Sequence, residues 1–358
     1  MSKADACLGL AVVGLTLYAV LGGADFGGGF WDLTAGGDVR GGRVRGLVQH
    51  SMTPVWEANH VWLIFVLVVL WTSFPVFFGS VASTLYVPLV LAAAGIIFRG
   101  TAFVLRGQAG TMREARVLGA AFATSSVVVP FCLAAALGGI GSGRVPVGNA
   151  AGDPWSSWLN PTSIAVGVLS VVTGAYLAAI FLAADARRTG LSDLERAFRA
   201  RALGCAVVAG AVAIGTLPIL HSDARLLYDG LTSGAGLVFV LLSAAIGVGT
   251  LVLVARWRFD LARWTSAAAV ACVTVGWAFA QSPDLLPGRL TIDAGAAPDA
   301  TLTAVLWSFG VGALILVPSL TLLYRLTLAG RLDQGFEPLD QRFRPLTASD
   351  EPPPPEAA

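Results

Sequence analysis

Apolar side chains in this chain are gathered into long runs rather than spread with a short period. Runs of that kind cover residues 8–30, 54–77, 81–104, 117–140, 161–184, 203–221, 231–255, 264–282 and 302–325. A helix needs about 20 apolar residues to cross a hydrocarbon core about 30 Å thick. Only helices and closed barrels satisfy their backbone groups in lipid, and none of the runs alternates with a period of two. The pattern predicts an all-α integral membrane protein with about nine transmembrane helices. They form one polytopic domain, residues 1–330, followed by a tail, 331–358. The tail ends in Glu351-Pro-Pro-Pro-Pro-Glu356, a composition expected to be disordered.

Composition sharpens this reading. Hydrophobic residues make up 56% of the 358, charged residues 13%, and mean hydropathy is +0.75. Soluble globular proteins carry about 25% charged residues, and disordered chains are poor in apolar ones, so both classes are excluded. Lys3 precedes an apolar run with no small-residue cleavage site, so the first run is expected to stay as a span. Cys7, Cys132, Cys205 and Cys272 lie far apart, with no CxxC spacing. They read as small packing residues rather than ligands or redox dithiols.

The charges set the topology. Arg40, Arg43 and Arg45, then Arg106, Arg113 and Arg116, lie in the first and third connections. Arg187, Arg188, Arg196, Arg199 and Arg201 lie in the fifth, and Arg256, Arg258 and Arg263 in the seventh. With Arg325, Arg331, Arg342 and Arg344 they place eighteen cations on one side, against Lys3, Arg144, Arg225 and Arg289 on the other. The positive-inside rule then puts the N-terminus outside and the C-terminus in the cytoplasm. Ser192-Asp193-Leu194-Glu195 fits a capping box that would start a basic helix leading into the sixth span. No Walker-type loop is present, so ATP-driven transport by this chain alone is excluded, and no nucleic-acid partner is expected.

Three charged residues stand out inside the apolar runs: Asp25, Glu57 and Arg99. Each costs roughly 2.5–3.5 kcal/mol at a helix centre and therefore needs a partner or a purpose. At about 1.5 Å per residue, Asp25 lies about 25 Å from the outer end of the first run and Arg99 about 27 Å from that of the third. Glu57 lies about 5 Å inside the second run, which would open on Pro54 at the first helical position. All three are expected near one cytoplasmic boundary. They can serve as a structural ion pair, as a proton entry site, or as both.

Glu57 and His60 share one helical face in Trp56-Glu57-Ala58-Asn59-His60-Val61-Trp62. Glu-x-x-His is half of a carboxylate di-iron site, but with only His50 and His221 left the chain has no second half, so no metal is expected. His60 as a haem ligand would require another axial donor, and His221 reads as interfacial. The stretch Gly22-Gly23-Ala24-Asp25-Phe26-Gly27-Gly28-Gly29 follows an apolar helix rather than a strand, which excludes a nucleotide loop. Its small residues let helices approach closely, and Gly22 and Gly23 can loosen the backbone beside Asp25.

Taken in order, several segments resemble subunit II of the cytochrome bd family of quinol oxidases, most nearly its cyanide-insensitive-type branch. They are Leu21-Gly22-Gly23-Ala24-Asp25-Phe26-Gly27, Pro54-Val55-Trp56-Glu57-Ala58-Asn59-His60-Val61-Trp62-Leu63-Ile64, Phe98-Arg99-Gly100-Thr101-Ala102-Phe103, Gly174-Ala175-Tyr176-Leu177-Ala178-Ala179 and Ala280-Gln281-Ser282-Pro283-Asp284-Leu285-Leu286-Pro287. The resemblance implies a bacterial inner-membrane subunit that carries no haem alone. It would pair with a larger subunit I holding two haems b, one haem d and the quinol site. A small accessory subunit, membrane lipid and a structurally held quinone are further implied contacts. It also implies that Glu57 and Asp25 pass cytoplasmic protons toward oxygen reduction, Arg99 tunes them, and Asn59 and His60 orient side chains or water. Four positions depart from the family pattern: its first acid is Gly22, a common Glu is Val104, and tyrosines flanking the Gln-x-Pro segment are Ser282 and Asp284.

Two rival readings belong to other classes. A secondary transporter suits intramembrane charges and glycine-interrupted helices, but nine spans divide poorly into two equal repeats. A purely structural scaffold predicts tolerance of neutral residues at positions 25 and 57.

Overall fold

The structure, a computed structural model, describes residues 2–328 apart from 37, 53–55, 107–108 and 110, and their side chains apart from those of 38–40, 52, 56–58, 112, 324 and 327–328. The predicted tail, Pro54 and the side chain of Glu57 therefore lie outside the described residues.

The chain opens with α1 (Lys3–Leu17), a π-helical turn (Tyr18–Gly22) and α2 (Gly23–Leu33), which together form one apolar rod from Lys3 to Leu33. Ser2 starts it, since its side chain accepts from the Asp5 amide while the Asp5 carboxylate accepts from the Ser2 amide. After α3 (Asp38–Met52) come α4 (Trp56–Ser73), α5 (Pro75–Thr84) and α6 (Tyr86–Arg106). Then follow α7 (Met112–Gly141), α8 (Pro161–Arg188), α9 (Ser192–Asp223) and α10 (Arg225–Leu231). The chain continues through α11 (Gly234–Ala255), α12 (Phe259–Gln281), a small antiparallel hairpin of β1 (Asp284–Leu286) and β2 (Leu290–Thr291), α13 (Ile292–Gly295) and α14 (Asp299–Leu328).

Seven of the described helical stretches are long and apolar enough to cross a membrane. The other two predicted runs fall on α4, apolar over Asn59–Ser73, and on α12. Two expectations change. The second run was expected to continue to 77 and the third to begin at 81, but Phe74 leaves the helix at φ −137°, and Pro75 opens α5 as a separate ten-residue helix. Proline disfavours the helical region for the residue before it, which explains the break. α6 thus starts at Tyr86, and Arg99 stands about 20 Å along it. The capping box at Ser192 is also absent: Leu191 is the N-cap, with no side-chain cap bond. The two acids are drawn to guanidiniums instead, Asp193 to Arg43 (2.5 Å) and Glu195 to Arg187 (3.2 Å).

α8 is the buried axis of the bundle, with every residue from Gly174 to Ile180 buried. α2 lies tightly against it: a Cβ at Gly27 would sit 1.9 Å from the Gly174 carbonyl oxygen, a distance no side chain tolerates. Trp31 adds a hydrogen bond from Nε1 to the Ala175 carbonyl (2.9 Å). At the periphery α14 turns Trp307, Leu314 and Ile315 outward, each more than 70% exposed. Such an apolar exterior suits lipid or another membrane subunit.

Candidate functional site

The first rod, α6 and α7 meet around two ion pairs. Asp25 on α2 and Arg99 on α6 are joined at 2.7 Å (Oδ1 to Nη2), with both side chains 2% exposed. Arg99 has further partners: Nε donates to Ser126 Oγ on α7 (2.9 Å), and Nη2 also reaches the Asp25 carbonyl (3.2 Å). Ser126 in turn donates to the Phe122 carbonyl (2.7 Å). The rings of Phe26 and Phe122 flank the guanidinium at 4.8 and 4.9 Å, supplying a cation–π environment in place of water. Asp25 is less completely served. Its Oδ2 is buried with no hydrogen-bond partner among the described residues.

Two turns further along the same helices a second rung repeats the arrangement. Asp32 receives Arg106 Nη1 on Oδ2 (2.5 Å) and Arg45 Nε on Oδ1 (3.2 Å). Arg45 from α3 also donates to the Gly36 carbonyl (2.8 Å). A small cavity beside this rung is lined by Asp32, Val48, Gln49, Phe103, Arg106 and Phe122, so the Phe122 ring lies between the two ion pairs.

Of the residues singled out from sequence, the structure brings Asp25 and Arg99 into direct contact and sets Asn59 and His60 beside them. Asn59 Nδ2 donates to the carbonyl of Leu21 in the π-helical turn (3.3 Å). The His60 ring packs edge-on to Tyr18 (6.3 Å) and tilted against Phe26 (6.0 Å). Glu57 belongs to the first turn of α4, but its side chain lies outside the described residues. The aspartate at 32 was missed because the first run was closed at residue 30, and Arg45 and Arg106 were counted only as cytoplasmic charges. A signal was present: Asp25 and Asp32, and likewise Arg99 and Arg106, are each seven residues apart, a spacing that repeats one helical face.

His60 and His221 do not converge as a pair of haem ligands. Bis-axial ligation requires two convergent donors. Yet His60 is packed among aromatic rings, and His221 Nε2 is already engaged by Arg225 Nη1 (2.5 Å) at the far end of α9. Among the described residues no group of three His, Cys, Asp or Glu side chains is placed to hold a metal ion.

Comparison with known proteins agrees with this architecture. Residues 4–327 match the family model described as cytochrome bd terminal oxidase subunit II. The chain is 29% identical over 89 residues to cytochrome bd ubiquinol oxidase subunit 2 of Bacillus subtilis, covering 25% of this chain and 26% of that one. It is 27% identical over 175 residues to cytochrome bd-I ubiquinol oxidase subunit 2 of Escherichia coli K12, covering 46% and 43%. These matches span less than half the length of either relative. A chain in the structure of bd oxidase from Geobacillus thermodenitrificans superposes with a TM-score of 0.76 at 26% identity, over 92% of this chain and 99% of that one. The chain is a multi-pass bacterial inner-membrane protein, and it belongs to the cytochrome bd terminal oxidase subunit II family.

Proposed function

We propose that the chain is the subunit of a quinol:O2 oxidoreductase that carries no haem of its own, and that it delivers cytoplasmic protons to oxygen reduction in a larger haem-bearing partner. On this reading the chain crosses the membrane nine times, with the N-terminus outside and the C-terminus in the cytoplasm. Two haems b, one haem d and the quinol site belong to the partner. Lipid, a small accessory subunit and a structural quinone complete the assembly. Protons released by quinol leave outside while those consumed by O2 enter from the cytoplasm, so turnover builds a proton-motive force.

The observation that carries the reading is the buried Asp25 carboxylate, bound by arginine on one oxygen and left on the other without a partner among the described residues. A carboxylate in lipid with a spare oxygen can exchange a proton with water, whereas a purely structural pair gains from engaging both oxygens. Asp25 and Glu57 pass the proton, Arg99 tunes Asp25, and Asn59 and His60 shape its surroundings.

The test is to purify the tagged chain with its membrane partners and record a reduced-minus-oxidised spectrum and O2 consumption. Haem b and haem d bands are expected, and a colourless solitary protein from cells that make the partner would overturn the assignment. In the assembled complex Asp25→Asn, which keeps an acceptor for Arg99, and Glu57→Gln are expected to lower turnover per haem about a hundredfold, the scale of a lost proton-transfer group. Unchanged turnover in both would leave the subunit a scaffold. Activity without any haem-bearing partner would favour a transporter.

A further inference from the structure

Three polar atoms around the π-helical turn are buried without a hydrogen-bond partner among the described residues: Tyr18 Oη, Asp25 Oδ2 and Asn59 Oδ1. Their residues are 7%, 4% and 2% exposed. An unpaired buried polar group costs about 1–3 kcal/mol, so three in one neighbourhood need an explanation. The neighbourhood is continuous. Tyr18 meets Phe26 (6.4 Å) and His60 (6.3 Å), Phe26 follows Asp25 in the chain and His60 follows Asn59, and Asn59 itself is bonded to Leu21.

The direction of the tyrosine is set by the turn. A Cβ at Gly22 would lie 3.1 Å from Tyr18 Cε2, 3.2 Å from Cδ2 and 3.5 Å from Cζ, so one edge of the ring lies over Gly22, which stands between Tyr18 and Asp25 along the chain. Glycine at 22 is what leaves the ring this room. The donor count also balances: Asp25 Oδ2 and Asn59 Oδ1 accept, and the Tyr18 hydroxyl donates. Water, which donates twice and accepts once in such a setting, satisfies all three.

We infer that Tyr18, Asp25 and Asn59 wall a buried water site, and that the Tyr18 hydroxyl is the hydrogen-bonding station next inward from Asp25. The relay half of this inference rests on the proposed proton-carrying role of Asp25, while the water site does not. In one passage Asp25, once protonated, donates to the water, the water and the hydroxyl turn so that the water donates to the tyrosine oxygen, and the Asp25 O–H bond breaks as its proton joins water. Water gives a proton to the tyrosine oxygen, and the tyrosine O–H proton moves on toward the proton-consuming oxygen site of the complex. Tyr18 ends neutral, so no charge is left on the ring.

The test is a redox-difference infrared spectrum of the purified complex in ordinary water and in water enriched in oxygen-18, read beside turnover per haem. The native protein is expected to show internal-water O–H bands that shift with the isotope. Tyr18→Phe, which keeps the ring and removes the hydroxyl, is expected to lose those bands and to slow turnover roughly tenfold, the scale of one lost hydrogen bond in a relay. Asn59→Leu is expected to remove the same bands and provides the reading if Tyr18→Phe fails to accumulate. Native bands in both variants would overturn the water site. Lost bands with native turnover in Tyr18→Phe would overturn the relay. If Tyr18→Phe loses the bands but Asp25→Asn turns over normally, the Asp25 reading fails and the water site stands.

Discussion

The two rungs are built from the same residue types on the same pair of helices, yet they are served differently. Asp32 has a guanidinium on each oxygen, from Arg106 and Arg45, and these arginine side chains are 10% and 24% exposed. Asp25 has one guanidinium in a site where both side chains are 2% exposed, and its other oxygen has no partner among the described residues. Donor number and solvent access thus separate a fastener from a site able to exchange. The outer rung ties α2, α3 and α6 together where water can assist, whereas the inner rung spends burial on a carboxylate it does not fully satisfy.

Removing the arginine of the inner rung should have the largest effect. Arg99→Leu removes the guanidinium from Asp25 Oδ1 and the donor to Ser126 Oγ, which keeps its bond to the Phe122 carbonyl. Breaking a buried ion pair on one side costs about 3–5 kcal/mol, and the lower end applies because a carboxylate can shed its charge by taking up a proton. A clear loss of thermal stability in detergent is expected, with part regained in the double variant Asp25→Leu with Arg99→Leu. A single variant as stable as the native protein would show that the pair contributes nothing to the bundle.

Asp32→Asn should matter less. The amide oxygen still accepts from one arginine, and the partly exposed guanidiniums can turn to water, so a loss of about 1 kcal/mol is expected. Thermal unfolding followed by tryptophan fluorescence measures it, since Trp31 adjoins Asp32. A loss as large as that of Arg99→Leu would erase the distinction between the rungs.

The legibility of the chain follows the same physics. Among the described residues the long apolar runs lie mostly on helix, with a break at Phe74, because lipid demands apolar length and helical backbone at once. The Asp25–Arg99 contact was foreseeable too, since two opposite charges at one depth on nearby spans have few other partners in lipid. What escaped were interactions at the ends of spans, where an aspartate or arginine reads equally well as a solvated flank. Asp32, Arg45 and Arg106 were lost this way, and Ser192 was misread because Asp193 and Glu195 satisfy arginines on other elements rather than their own helix. Tyr18 was invisible for another reason. A tyrosine in an apolar run is ordinary, and only the π-helical turn and the ring's position over Gly22 mark it.

The smallest effect belongs to a third aspartate, in the connection between α7 and α8. Asp153 Oδ1 accepts from the Trp155 amide (2.9 Å), the Ser156 amide (2.7 Å) and the Ser156 hydroxyl (2.9 Å). The Ser156 and Trp155 amides, which bond best to the charged form, hold this carboxyl below its ordinary value of 3.8. The sign follows: a carboxyl depressed by folding contributes at pH above its unfolded value, and that contribution disappears as pH falls through the folded value. Hydrogen exchange at the Trp155 and Ser156 amides, corrected for intrinsic rate, should therefore lose protection only at pH below about 3.8. Asp153→Asn should make protection at those amides independent of pH, with no change in turnover, because the site is fully exposed and remote from both rungs. Protection in the native protein that did not vary with pH would mean that the turn is held by its backbone alone. Here a carboxylate with three donors and free access to water has only local consequences, while Asp25, with fewer donors and no such access, holds helices together and keeps an oxygen free.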